Sequence, residues 1–197
     1  MTDPSTASSR LFIAVRPSTA IEAVDAALVP LRQAPFCEGL RWASAAKLHF
    51  TLRFLGNVPD AEREGIARAC AECAAELPGF ALTLAGAGAF PRASRASVLW
   101  VGVEDGAAEL CALAERLNER LAQRGVAREV RAFVPHLTIA RAKRPLRLTA
   151  AVESLRSIRA QGWIGEIELV KSRLGGAEAT HEVLERFVLG GPDRSPG

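Results

Sequence analysis

The spacing of hydrophobic residues changes period several times along this chain, and each change marks an element. "RLFIAV" (10–15) is a short, nearly unbroken apolar run of strand type. In "STAIEAVDAALVPLRQA" (18–34), Ile21, Val24, Leu28 and Leu31 recur at helical spacing, with Ser18 or Thr19 placed to cap the first turn. "LRWAS" (40–44) and "LHFTLRFLGNV" (48–58) return to strand character, and a second helix is predicted from about Asp60 to Leu77. "GFALTLAGAGAF" (79–90) and "SVLWVGVE" (97–104) read as a strand pair joined by "PRASRA". Leu110, Leu113, Leu117 and Leu121 mark a third helix that stops near Gly125. A strand around "FVPHLTIARA" (133–142), a short helix from Thr149 to Arg159, and strands "WIGEIELVKS" (163–172) and "HEVLERFVL" (181–189) complete the pattern.

This order, β-α-β-β-α-β-β-α-β-α-β-β, has no regular βαβαβ run, so an α+β fold is expected and not a doubly wound parallel sheet. The glycines of "AGAGAF" lead into a strand and turn and lack G-K-[ST], which excludes a P-loop and a dinucleotide fingerprint and leaves tight strand packing. Residues 1–197 are expected to form one domain, with disordered ends at about 1–9 and 191–197.

Composition narrows the classes. At 21.0 kDa and 49% hydrophobic residues the chain has enough apolar side chains for a core, and a net charge of +3 gives only a mild bias toward anionic partners. A polar start, "MTDPSTASS", and the lack of an apolar run of about 18 residues predict a cytoplasmic protein without a membrane span. Four cysteines include a C-x-x-C, Cys70 and Cys73, but these share a helix face with Ile66 and Leu77, so packing is expected there and not a zinc site.

The chemistry concentrates in two short segments. The chain has three histidines, and two of them sit in matching settings: "HFTL" at His49 and "HLTI" at His136. On a strand, positions two apart share a face at about 6.6 Å, so His49 with Thr51, and His136 with Thr138, form wet faces opposed to Phe50/Leu52 and Leu137/Ile139. If the two strands meet near a pseudo-two-fold axis, two imidazoles of ordinary pKa about 6.5 face one cleft, one able to act as base and the other as acid. In-line hydrolysis of a phosphodiester needs that pair, together with hydroxyl donors to the non-bridging oxygens. A strained cyclic phosphate suits such a site without a metal, and neither motif carries carboxylates at ligand spacing.

"RLFIAV", "LRWASAAKLHFTLRFLGNV", "FVPHLTIARAK" and "GGAEATHEVLERFVL" together resemble the two-histidine phosphoesterase superfamily, specifically the RNA 2',3'-cyclic phosphodiesterases also called 2'-5' RNA ligases. The resemblance implies a bilobal α+β fold of antiparallel sheets around a central cleft, with helices outside and no metal or other cofactor. It further implies that a 2',3'-cyclic phosphate on an RNA end, an oligonucleotide or a small cyclic nucleotide is opened to a 2'-phosphomonoester. By the same resemblance His49 is the proton donor to the leaving 3'-oxygen and His136 the base on water. Thr51, Thr138 and Arg141 are then phosphate contacts, and Phe12 an aromatic able to stack a nucleobase, beside its plain role as a core residue of the first strand. Arg141 stands five residues after His136, opposite in parity, so it reaches the cleft only through a bulge, a twist or the strand's end near Ala140. Arg53 has the correct parity and is the reserve candidate, against a plain role as a solvated strand-edge residue; Trp42 reads as packing. His181 stands where the family often has tyrosine and is expected at a surface or strand edge.

A monomer is the default expectation. Two other function classes remain at this point: a binding module that holds a nucleotide or RNA end without turnover, and a metal hydrolase with histidine ligands.

Overall fold

The computed structural model describes residues 7–17, 19–173, 175 and 179–190. Among them, nine strands and four α-helices follow in the order β1 (Ser8–Val15), α1 (Ile21–Arg32), β2 (Leu40–Trp42), β3 (Phe50–Pro59), α2 (Arg63–Glu76), β4 (Phe80–Arg92), β5 (Arg95–Asp105), α3 (Ala107–Ala122), β6 (Leu137–Leu146), α4 (Thr149–Ser154), β7 (Arg159–Ile164), β8 (Glu166–Arg173) and β9 (Thr180–Val188). The strands build two antiparallel sheets, β3-β1-β8-β9 and β2-β6-β5-β4-β7. This is the α+β architecture expected from the pattern. Each sheet receives one of the two His-x-Thr segments, through β3 and β6.

The unbroken apolar run of β1 follows from burial on both faces. Leu11, Ile13 and Val15 enter the main core, while Phe12 and Ala14 form a small cluster with Val170 on the other side. The helices bury the stripes read from sequence: Ile21, Val24, Leu28 and Leu31 on α1, and Leu110, Leu113, Leu117 and Leu121 on α3. Cys70 and Cys73 lie fully buried on α2, their thiols pushed up by burial, that of Cys73 to about 12, so they pack as apolar groups. Gly125 takes a φ of +82° just past α3 and lets Val126 N–H return to the Leu121 carbonyl, which stops the helix where the pattern placed its end.

Several local expectations are corrected. Ser8 and Ser9, assigned to a loose start, pair with Pro59 and Val58 at the beginning of β1. Helix α1 has Ala20 at its N-cap with no side-chain cap, Thr19 instead lies within reach of the Gln161 carbonyl, and Ser18 is outside the described residues. The helix expected over 149–159 ends at Ser154, because Arg159 to Ile164 are drawn into a ladder with β4. "WIGEIELVKS" is two strands in two sheets, and the chain crosses between them at Gly165. No helix among the described residues is long and apolar enough to cross a membrane.

Candidate active site

Both histidines stand one residue before a strand: His49 precedes β3 and His136 precedes β6. They are thus just outside the ladders in which they were expected, and in each case a backbone carbonyl two residues upstream takes over the orienting role. His49 Nδ1–H donates to the Lys47 carbonyl at 2.6 Å, and His136 Nδ1–H donates to the Val134 carbonyl at 2.8 Å. That bond selects the tautomer and leaves Nε2 as the lone-pair edge of each ring. At His49 that edge accepts from the Thr51 hydroxyl at 3.1 Å. The turn Ala45–Lys47 that supplies the first carbonyl is itself held by Arg16, which donates to the carbonyls of Ala45 and Ala46 at 3.2 and 2.8 Å.

A matched irregularity follows each motif. In β3, Ile13 pairs with Arg53 and Ala14 with Thr51, so Leu52 is an extra residue. In β6, Leu99 pairs with Ala140 and Trp100 with Thr138, so Ile139 is the extra residue. A bulge shifts side-chain parity by one. Thr138 and Arg141 therefore share the cleft face, as do Thr51 and Phe54. The bulge required for Arg141 lies at Ile139. The same device turns Arg53 away: it does not line the cleft but donates to the Ala127 carbonyl and approaches Glu129 at 3.3 Å, tying β3 to the segment that leads to His136. Its reserve candidacy, and its alternative as a solvated edge residue, both fail because the bulge buries it.

The two sheets enclose a cleft of about 510 Å³, a size suited to a nucleotide-scale ligand. His49, Thr51, His136, Thr138, Arg141 and Phe12 all line it, joined by Arg10, Arg41, Trp42, Lys47, Phe54 and His181. Among the described residues its lining contains four Arg or Lys side chains and no Asp or Glu, a charge balance suited to an anion. Trp42 is partly buried against the core, as expected, and also forms cleft wall.

Phe12 is 1% exposed and covered: its ring stacks on His49 at 5.1 Å and on Phe54 at 5.6 Å, with His181 edge-on at 5.0 Å. In this arrangement Phe12 lines the cleft and supports the His49 ring. Phe54, 52% exposed with the Arg10 guanidinium over its ring at 5.6 Å, is a second aromatic in the cleft lining. Sequence reasoning missed it, although its position five residues after His49 mirrors that of Arg141 after His136. His181 lies on the edge strand β9 as expected, but its ring also reaches the cleft and sits 5.5 Å from His49.

Burial lowers the pKa of His49 to about 4, with charge repulsion from His181, Arg16 and Arg141 adding to the effect against the Lys47 hydrogen bond. Burial and Lys47 also lower His181. The folded state therefore disfavours protonated His49, so unfolding free energy should be level above pH about 6.5 and decline as pH falls toward 4. In an NMR titration the His49 ring protons should show a midpoint near 4 in the free protein. Saturation with inorganic phosphate should move that midpoint upward, since an anion beside the ring favours its charged form. An unchanged midpoint would separate His49 from the anion site.

Two sheets meeting at a cationic cleft, each contributing a carbonyl-anchored histidine and a threonine, define a two-histidine phosphoesterase. The chain belongs to the 2'-5' RNA ligase superfamily, whose family model matches residues 22–176. It is 33% identical over 156 residues to the RNA 2',3'-cyclic phosphodiesterase of Aquifex aeolicus, covering 77% of this chain and 82% of that protein. It is 37% identical over 126 residues to the protein of the same name from Aeropyrum pernix, covering 64% and 70%. Among solved structures, E. coli LigT complexed with 3'-AMP superimposes with a TM-score of 0.72 at 26% identity, over 93% of this chain and 99% of that one.

Proposed function

We propose that this protein is an RNA 2',3'-cyclic phosphodiesterase that opens cyclic phosphate ends of RNA or nucleotides to 2'-phosphomonoesters without a metal. The observation that carries this reading is the pair of histidines, each fixed through Nδ1 with Nε2 facing a cleft whose described lining is cationic and without carboxylates. The names of the relatives from Aquifex aeolicus and Aeropyrum pernix support the substrate class.

His136 Nε2 removes a proton from water as its oxygen attacks phosphorus, the bond from phosphorus to O3' breaks, and His49 Nε2 delivers a proton to that oxygen. Thr51, Thr138 and Arg141 hold the non-bridging oxygens, where charge grows in the transition state. His49 is neutral near pH 7 in the empty cleft, so its acid role requires that the bound phosphate raise its pKa. That same low pKa favours a second division of labour, with His49 as base and His136 as acid. Among the described residues no group of three or more His, Cys, Asp or Glu is placed to hold a metal ion. The reading extends to one domain acting as a monomer in the cytoplasm, where four free thiols are stable.

The test is incubation with a 2',3'-cyclic nucleotide or a cyclic-phosphate-ended RNA in EDTA, with the product identified by phosphorus NMR. Clean 2'-phosphate is expected. Loss of activity in EDTA would sink the metal-free mechanism, and binding without product would leave a nucleotide-binding module in its place.

A further inference from the structure

Beside His136 the five-stranded sheet carries two aromatic rings, Trp100 and Phe90, that the phosphate chemistry does not use. Trp100 pairs with Gly88 across β5 and β4, and a Cβ on Gly88 would come within 2.2 Å of the indole Cζ2. The indole therefore lies over the glycine, and the residue is half-buried with its Nε1 enclosed. Phe90 sits 5.2 Å from it at an interplanar angle of 36° and is also half-buried. Both rings abut His136, at 5.0 Å for Phe90 and 6.3 Å for Trp100, so the surface is continuous with the cleft.

The same strands lead from these rings to a basic end of the sheet. Arg92 and Arg95 pair at the tip of the β4–β5 hairpin, two residues beyond Phe90. On the β5 side of β6 only Ser97 stands opposite Ala142 to Pro145, so the strand bows out there with Lys143 and Arg144 exposed. The Leu148 amide bonds to the Ala93 carbonyl at 2.7 Å, which brings Arg147 to the same tip. Among the described residues, none of Arg92, Arg95, Lys143, Arg144 and Arg147 has a carboxylate partner.

We propose that Trp100 and Phe90 form a second nucleobase platform, for the nucleotide preceding the cyclic phosphate, and that the basic hairpin end carries the phosphates upstream of it. Flat aromatic faces followed by unpaired cations are what single-stranded RNA uses without regard to sequence. An acidic protein would be served by the cations but would leave the half-buried aromatic pair without a matched partner. The proposal rests on the phosphodiesterase reading and gives that enzyme a preference for oligonucleotide ends over mononucleotides.

The experiment compares kcat/KM for a mononucleotide 2',3'-cyclic phosphate with that for a cyclic-phosphate-ended hexanucleotide. It uses the wild type, Trp100→Ala, and the exposed hairpin variant Arg92→Ser/Arg95→Ser, which leaves the core intact. The wild type should favour the hexanucleotide. Trp100→Ala should reduce that preference by about tenfold or more, the range expected for losing one base stack. The hairpin variant should reduce it too and flatten its salt dependence by about 0.7 in log–log slope for each phosphate it no longer neutralises. If Trp100→Ala lowers both substrates alike, Trp100 only packs against His136 and the platform is overturned; an unchanged preference in both variants overturns it as well. If the wild type opens neither substrate, the phosphodiesterase reading falls, and the platform is judged by fluorescence anisotropy of a labelled hexanucleotide ending in a 2'-phosphate. Weaker binding by both variants sustains it in that case, and undiminished binding removes it.

Discussion

Replacing His136 or His49 with alanine should each lower the rate of cyclic phosphate opening by about 10²- to 10⁴-fold, the usual worth of one positioned proton transfer. The fall should appear in kcat, because each imidazole acts on a proton that moves in the transition state and neither is a main source of ground-state binding. The anchoring supports this. Each ring commits its Nδ1–H to a main-chain carbonyl, so neither has to find its tautomer when substrate arrives. The double variant should lose far less than the product of the two single losses, since groups that act as a unit are strongly non-additive. A substrate whose leaving group departs without a proton should restore much of the activity to the variant lacking the acid and none to the variant lacking the base. Steady-state kinetics on that substrate reads the assignment: rescue of His49→Ala keeps His49 as the acid, and rescue of His136→Ala reverses the roles. A bell-shaped pH profile cannot substitute for it, because its two limbs belong to the coupled pair and not to named residues.

The second large effect is expected at Arg141. Arg141→Ala should lower kcat/KM by about 10²- to 10³-fold, as the loss of a preorganised donor to a growing negative charge does. Arg141→Lys should recover only part of it, because lysine keeps the charge but not the planar fork that meets two oxygens at once. The geometry depends on the bulge at Ile139, which brings a residue of the wrong parity to the wet face. If Arg141→Ala changes kcat/KM by less than about threefold, Arg141 is cleft wall and the phosphate is held by Lys47, Arg10 or Arg41 instead.

The two bulges also explain why some site residues could be read from sequence and others could not. His49, Thr51, His136 and Thr138 repeat a pattern within four residues, and local spacing carried them to one cleft. Arg53 obeys the alternation rule and is absent from the cleft, while Phe54 breaks the rule and lines it, because one extra residue at Leu52 reverses the parity of both. No local signal distinguishes a bulged strand from a regular one. Phe12 is ambiguous for another reason: an apolar residue on a doubly buried strand reads the same whether its ring is a binding face or a floor, and the rings packed around it come from segments distant in sequence. His181 reaches the cleft only because β8, and β9 beyond it, lie on the far side of β1 from β3, a pairing between segments more than a hundred residues apart.

Taken alone, the order of residues determined the α+β class, the helix faces, the stop at Gly125 and the two His-x-Thr faces. These depend on interactions within a few residues, which hydrophobic period and turn chemistry record directly. Tertiary structure decided which side chains share the cleft, that His49 is desolvated while its neighbours are cationic, and that Trp100 lies flat on Gly88 beside His136. Parity, burial and charge at the site are set by long-range strand pairing, and the contacts that set them have no fixed spacing along the chain.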